Sequence, residues 1–577
     1  MQDRLWHKNW PKDLPWSLQY PEVGVDIIMR SAAYKFPNHA AFVFKDIEYS
    51  YEELWDGAQR FAAALADLNI GKGDVVATHI PNCPQFAIAY YGILLSGAIY
   101  SPINPMMTVK ELQYLLNDSK AKVIVTYDLF VHNVLNVKDD TNLKNVIVTS
   151  NQEAVERVPS DFKSIDKSLL SMQKLLDQYP PHAPRTVINP QTDLAHLAYT
   201  GGTTGVSKGV MLTHYNVVAN TVQAVCWYLG GYPVLRDGIL YIEGKYMESD
   251  ESSEFVEQEG KETIINVAPL YHTMGTVGYL NGIFGRGYTQ ILHQHFDPVK
   301  YLDDAEKYQV TFASGAPTVF LALLSTPGFE ERNLDSVKII TSGAAPMSVE
   351  LLNKLNKAFP NAIIAEGYGL TEATMGVSAN PTNLSGLRKV GSVGIPLFDT
   401  EVKIVDLETG EQEKSCGQEG EICIQGPQCM LGYLNRPEET AKVLKGGWVY
   451  TGDIGMMDDD GFITIVDRKK DMLIYKGYNV YPREIEELLF QHPAVANCAV
   501  IGIIKPDLGE LPKAIVVKRA GFDVTAQELM DFVNEQVVFY KKIRELEFLD
   551  EIPVSAAGKV LKKNLRDRER KLREEDS

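Results

Sequence analysis

Hydrophobic positions recur at helical spacing in two segments that open on capping signals. Ser50 with Glu53 precedes Leu54, Phe61, Leu65 and Leu68, and Thr108 with Glu111 precedes Leu112, Leu115 and Leu116. A hydroxyl three residues ahead of a glutamate satisfies two free backbone N–H groups, so both segments are predicted to start helices there. Gly71 is expected to stop the first. Short apolar runs at 75–77, 122–126 and 145–149 follow in alternation with these helices, the pattern of α/β layers around parallel strands. From Gly391 the texture changes to short β-rich runs at 400–405, 421–425, 449–451 and 462–466, with Asp458-Asp459-Asp460-Gly461 as a hairpin turn. A small β-barrel or sheet subdomain is predicted over 391–466. The charged run Arg468-Lys469-Lys470-Asp471 reads as a linker, and the residues after it alternate helix and strand patterns in an α+β manner. The fold class is therefore α/β: a large N-terminal domain of layered subdomains over 1–466, then a small α+β domain over 471–577.

Length agrees, because 577 residues exceed what one hydrophobic core of roughly 250–300 residues can serve. With 45% hydrophobic and 23% charged residues, the chain is neither disordered nor fibrous. Its formal charge of -19 opposes general binding of nucleic acid or anionic lipid, so a polyanionic ligand has to be gripped locally. Six cysteines are too few for a disulfide framework, and Cys416, Cys423 and Cys429 lack zinc-ligand spacing. They are expected to be small buried hydrophobes in a reducing cytoplasm. The first residues carry no apolar signal core. The long uncharged stretch 75–109 is broken by proline, glycine and asparagine, which predicts a buried helix with turns and no transmembrane segment. Segment 243–262, with eight acidic residues, reads as a solvated insertion, and 559–573, with eight basic ones, as a solvated terminal helix.

The most informative stretch is an apolar run, Leu197 to Tyr199, entering Thr200-Gly201-Gly202-Thr203-Thr204-Gly205-Val206-Ser207-Lys208-Gly209. Glycines let the backbone approach a ligand, N–H and Thr hydroxyl groups donate, and Lys208 adds charge, which suits a polyphosphate. Lys208 is followed by Gly209, so this is not the Gly-Lys-Ser/Thr loop of P-loop proteins.

With the following Met211-Leu212-Thr213-His214, the loop resembles the signature of the adenylate-forming superfamily, which includes acyl-CoA synthetases. Four further blocks resemble that family in the same order: Glu366-Gly367-Tyr368-Gly369-Leu370-Thr371-Glu372, Tyr450-Thr451-Gly452-Asp453, Asp467-Arg468-Lys469-Lys470-Asp471 and Pro553 to Lys559. The resemblance implies an ATP-dependent ligase with Mg²⁺ and coenzyme A. Thr200, Gly201, Gly202, Thr203, Thr204, Gly205 and Lys208 would cradle the phosphates. Tyr368 would face adenine beside Ala344 and Ala345, and Glu366, Gly367 and Gly369 would complete the nucleotide site. Thr371 would reach the α-phosphate, Glu372 would hold the metal, and Asp453 with Arg468 would take the ribose. Lys559 would be catalytic, bridging acyl carboxylate and α-phosphate, where negative charge accumulates. Residues 467–470 would be a hinge with Lys470 as pivot. Rotation of a mobile C-terminal domain would bring Lys476, Gly477 and Tyr478 to coenzyme A.

Pro269 to Gly275 resembles the motif in which an aromatic or histidine residue meets the acyl group, which assigns that role to His272, with Gly343 and Gly369 bordering the acyl channel. The Tyr199-Thr200-Gly201-Gly202 loop and Tyr478 to Glu486 look most like fatty acyl-CoA synthetases, so a medium- or long-chain fatty acid is expected. An aryl-acid ligase, or one loading a carrier-protein thiol, is the alternative, although Ile474 stands where aryl ligases often carry lysine. The expected partners are small molecules and no nucleic acid. Peripheral membrane contact and a homodimer stay open.

Overall fold

The computed structural model describes residues 4–200, 207–245, 254–343, 347–476, 478–505, 509–555 and 559–575. Two large sheets form the N-terminal part. In the first, Val75–His79, Ile99–Pro102, Val123–Tyr127, Asn145–Thr149, Leu169–Ser171 and Leu194–Tyr199 run parallel. Gly209–Thr213 lies antiparallel beside Leu194–Tyr199 and carries Gly432–Tyr433 at the edge. In the second, Ala40–Phe44, Thr289–Leu292, Thr263–Asn266, Phe312–Gly315, Ile339–Ser342 and Ile363–Gly369 are parallel. Strands such as Val123–Tyr127 are buried at every position, as expected for a sheet covered by helices on both faces.

Both predicted capping boxes are present, at Ser50 and Thr108. The first helix, Tyr51–Asp67, is capped by Leu68, and the turn is made by Asn69 at φ 57°, so the chain leaves the helix before Gly71. The uncharged stretch folds into the strands Val75–His79 and Ile99–Pro102 around a helix, Pro84–Leu95, that is buried at every position but its last and packs on Tyr51–Asp67. Gly92 permits the approach, since a Cβ there would lie 2.8 Å from the Phe61 ring and 2.9 Å from the Ala58 carbonyl oxygen. Among the described residues, no helix is long and apolar enough to cross a membrane.

From Glu401 a five-stranded antiparallel sheet forms, with Trp448–Met457 pairing Gly420–Gln425 on one side and Ile463–Arg468 on the other. The last hundred residues have their own sheet and their own core, in which Leu473, Ile485, Leu489, Val500, Val516 and Leu529 meet.

Three expectations change. The acidic insertion is solvated only in part: Phe255 is 1% exposed, and Glu257 is buried against Arg286 at 2.6 Å, because its charges have partners inside. The terminal helix Lys562–Glu575 is docked, burying Leu565 and pairing Glu569 with the buried Lys513 at 2.6 Å. Cys416 is exposed, although Cys83, Cys226, Cys423 and Cys498 are buried and all six thiols are free.

Candidate active site

The C-terminal ends of the second sheet's strands converge on two adjoining cavities. Register pairs Gly315 with Ser342 and Ser342 with Glu366, so the glycine-bearing turns after these strands lie side by side. One cavity, of about 280 Å³, lies between the large domain and the C-terminal residues and is lined by Tyr368, Asp453, Arg468 and Lys559. The other, of about 300 Å³, runs into the large domain past His272, Gly343, Thr371 and Met375. Gly367, Tyr368 and Gly369 line both.

In the first cavity Asp453 is held from two sides. The Tyr368 hydroxyl donates to its Oδ2 at 2.7 Å, and Arg468 Nε lies 3.0 Å from its Oδ1. The two charged residues face each other because Trp448–Met457 and Ile463–Arg468 pair in register there. Burial, then the Asp453 charge, pushes the Tyr368 hydroxyl well above its ordinary value. Glu366 accepts from the Met347 N–H at 3.1 Å, and burial raises its carboxyl to about 7. Lys559 is fixed by a small loop closure in which its N–H donates to Ser555 Oγ at 3.2 Å and its carbonyl accepts from Ser555 N–H at 2.7 Å. Burial, with Arg468 nearby, lowers its ammonium to about 8.

Thr371 Oγ1 is 3.4 Å from Thr273 Oγ1, which joins residues 366–372 to the segment of His272. His272 is half-buried ahead of a π-helix, Met274–Asn281, and burial lowers its imidazole to about 4, so the ring is neutral at pH 7. Gly343 faces open space, whereas a Cβ at Gly369 would lie 1.5 Å from the Met375 carbonyl oxygen. Glycine at 369 is thus demanded by backbone approach, and room for a ligand is left at 343.

Glu372 accepts from the Tyr433 hydroxyl at 2.8 Å. Lys208 Nζ sits 2.5 Å from Glu439 and 5.0 Å from the centre of the Tyr433 ring. Thr200 N–H donates to the Lys208 carbonyl at 3.1 Å, which ties together the two ends of the glycine-rich segment. The loop residues Gly201, Gly202, Thr203, Thr204 and Gly205, together with Ala344, Ala345 and Gly477, lie outside the described residues. A carboxylate with one oxygen already engaged is a hard-oxygen donor suited to Mg²⁺, which usually takes one or two carboxylates plus phosphate oxygens. Among the described residues no cluster of three acidic, histidine or cysteine side chains competes for a metal.

Lys476 and Tyr478 line neither cavity. Lys476, at φ 48°, follows the strand Leu473–Tyr475, and Tyr478 begins the strand Tyr478–Val480 and is stacked on Tyr540 at 4.6 Å. Lys470 lies in the turn after Ile463–Arg468, where partial desolvation and then the Arg468 charge lower its ammonium, although the residue is exposed at the surface. Sequence reasoning passed over Tyr433, Glu439, Glu257 and Arg286. Arg286 carried a usable signal, as the one charge between Thr273 and Leu292.

The sequence profile of the AMP-binding enzyme family matches residues 29–434, and that of the AMP-binding enzyme C-terminal domain matches 484–559. A long-chain-fatty-acid–CoA ligase of Bacillus subtilis is 35% identical, covering 98% of each chain. A 4-coumarate–CoA ligase of Petroselinum crispum is 36% identical over 90% of this chain and 89% of its own. The crystal structure of ATP-bound MatB from Rhodopseudomonas palustris superposes with a TM-score of 0.81 at 27% identity, covering 95% of this chain and 99% of that one.

Proposed function

This chain belongs to the AMP-binding enzyme family, an ATP-dependent, AMP-forming ligase, and we propose that it joins medium- or long-chain fatty acids to coenzyme A. The observation that carries the reading is the meeting of two cavities at Tyr368, one holding Lys559 and the other lined by apolar and aromatic side chains beside His272. The full-length likeness to a long-chain-fatty-acid–CoA ligase supports it.

In the first half-reaction a carboxylate oxygen attacks the α-phosphorus of ATP, and the bond to pyrophosphate breaks. Lys559 and Thr371 would stabilise the charge that gathers on the phosphoryl oxygens. Tyr368 would face the adenine, and Asp453 would take the ribose hydroxyls, with Arg468 beside it. Glu372, oriented by Tyr433, would hold Mg²⁺, which when bound neutralises phosphate charge. In the second half-reaction the sulfur of coenzyme A attacks the acyl carbon and the bond to AMP breaks. His272, kept neutral by burial, would serve as a contact for the acyl group and not as its base. We take residues 471–577 as the unit that turns about Lys470 to replace Lys559 with Lys476 to Tyr478.

A second reading, an aryl acid, is favoured by the hydroxyl groups in the inner cavity wall, where Tyr279 and Thr341 both donate to Ser314 at 2.6 Å. The test is ATP-dependent pyrophosphate release with straight-chain acids from acetate to palmitate and with benzoate and coumarate, each with and without coenzyme A. A peak among aliphatic acids that requires coenzyme A is expected; a peak with aryl acids, or equal release without coenzyme A, refutes the reading.

Lys470→Pro is expected to slow thioester formation from supplied acyl-adenylate more than adenylation, because proline fixes φ at the pivot. Separate assays of the two half-reactions check it, and the reverse order would rule out Lys470 as the pivot.

A further inference from the structure

The inner cavity ends on a charge. Arg286 lines it while only 3% exposed, and Glu257, from the acidic insertion, is 2% exposed beside it. The guanidinium is held on every side. Nε donates to the Gly282 carbonyl at 3.0 Å and Nη1 to Glu257 Oε2 at 2.6 Å, and the Tyr288 hydroxyl donates to the same oxygen at 2.6 Å. Its carbon lies 4.5 Å from the Tyr228 ring centre, 4.9 Å from that of Tyr288 and 5.2 Å from that of Phe312.

The strand Phe312–Gly315 measures how deep this lies. Gly315 is level with Ser342 at the catalytic end, while Phe312 is level with Ile339 at the other. Three residues at roughly 3.3 Å each put Phe312 ~10 Å below the edge where the nucleotide motif sits. Arg286 lies against that ring and also ends the helical run that starts at Met274, just after His272. Two elements therefore place it at the end remote from Thr371 and Lys559.

We infer that Arg286, clamped by Glu257, is the fixed stop at the deep end of the acyl cavity and confines the enzyme to medium-chain fatty acids. The inference rests on the fatty-acid reading above and narrows it. A flexible side chain at this place could swing aside for a longer tail. Arg286 cannot, because moving it strands the Glu257 carboxylate without a countercharge in the protein interior. A saturated chain advances roughly 1.2 Å per bond, a third of the extended peptide repeat, so ~10 Å takes about eight bonds. Residues 254–257, where Phe255 and Glu257 are buried, are in this way part of the substrate site: Glu254 anchors them by accepting from the Ser385 N–H at 2.5 Å, and Glu257 fixes the stop.

The experiment is a series of straight-chain acids from hexanoate to palmitate, read as coenzyme A-dependent kcat/KM. The wild type is expected to peak at about eight to ten carbons and to fall at least tenfold by palmitate, since each unaccommodated methylene carries a large penalty. The double variant Arg286→Leu with Glu257→Gln removes both charges together, and its palmitate-to-octanoate ratio should rise about tenfold or more. Gly278→Leu, which adds a side chain beside Met375 in the middle of the cavity, should move the peak to shorter acids and serves if the double variant does not fold. Equal use of octanoate and palmitate by the wild type, or an unchanged ratio in a folded double variant, overturns the stop and leaves the fatty-acid reading standing. Turnover with aryl acids and with no straight-chain acid of any length overturns both.

Discussion

Lys559→Ala is expected to lose adenylation by about 10²- to 10³-fold, the usual consequence of deleting one stabiliser of charge that develops in the transition state. Its ammonium is one of the cations that the C-terminal residues bring into the cavity of Tyr368 and Asp453, beside Arg483 and Lys562, and the Ser555 closure fixes where its backbone sits. The same variant should keep much of its thioester formation from supplied acyl-adenylate, because that step is proposed to use Lys476 to Tyr478 in place of Lys559. Pyrophosphate release and thioester formation measured separately decide the matter; equal loss of both would refute the division of labour. The lysine also sets a pH limit. Burial lowers its pKa to about 8, so the free enzyme loses this charge as pH rises through that value. The kcat/KM for adenylation, which reports on the free enzyme, should therefore fall on the alkaline side of about 8 and hold below it.

The second large effect concerns stability. Glu257→Ala is expected to cost about 3–5 kcal/mol, since it leaves a buried guanidinium with no counterion, and arginine cannot shed its proton. The Tyr288 hydroxyl, which donates to the same carboxylate oxygen, loses its acceptor too. Arg286→Leu with Glu257→Gln removes the charges together and should unfold much closer to wild type, because buried ion pairs often contribute little net stability over apolar replacements. Midpoints in urea, compared at constant slope, test this. If the single variant melts within about 1 kcal/mol of wild type, the pair is solvated and the stop is not rigid.

Much of the architecture was legible because it is written locally. Ser50 and Thr108 start helices through contacts within four residues, and runs such as 145–149 form the strands that their alternation with helices predicts. The motifs at 366–372, 450–453 and 553–559 were equally plain, and Tyr368, Asp453, Arg468 and Lys559 do line one cavity. What escaped is long-range pairing. Segment 243–262 reads as solvated because its composition is acidic, yet Glu257 finds Arg286 29 positions away and Lys338 reaches Glu262 across 76. Tyr433 is unremarkable in sequence and matters because edge pairing with Gly209–Thr213 sets it beside Glu372 and Lys208. A composition argument cannot see such partners, because the energy of burying a charge depends on a neighbour that only the fold supplies.

The pairing of Lys208 with Glu439 has a consequence for ligand selection. A bare lysine in a glycine-rich loop would attract any small anion in solution. With a carboxylate 2.5 Å away, an incoming anion has to displace an existing counterion before it gains anything. Inorganic phosphate, with one anchoring point, competes poorly against a tethered glutamate whose local concentration is high. A nucleoside triphosphate that is already anchored through base and ribose presents its phosphates on equal terms and can drive the exchange. On a chain of net charge -19, the Lys208–Glu439 pair would act on the proposed phosphate site as a multivalency filter, favouring an anion delivered by a larger ligand over anions that arrive alone.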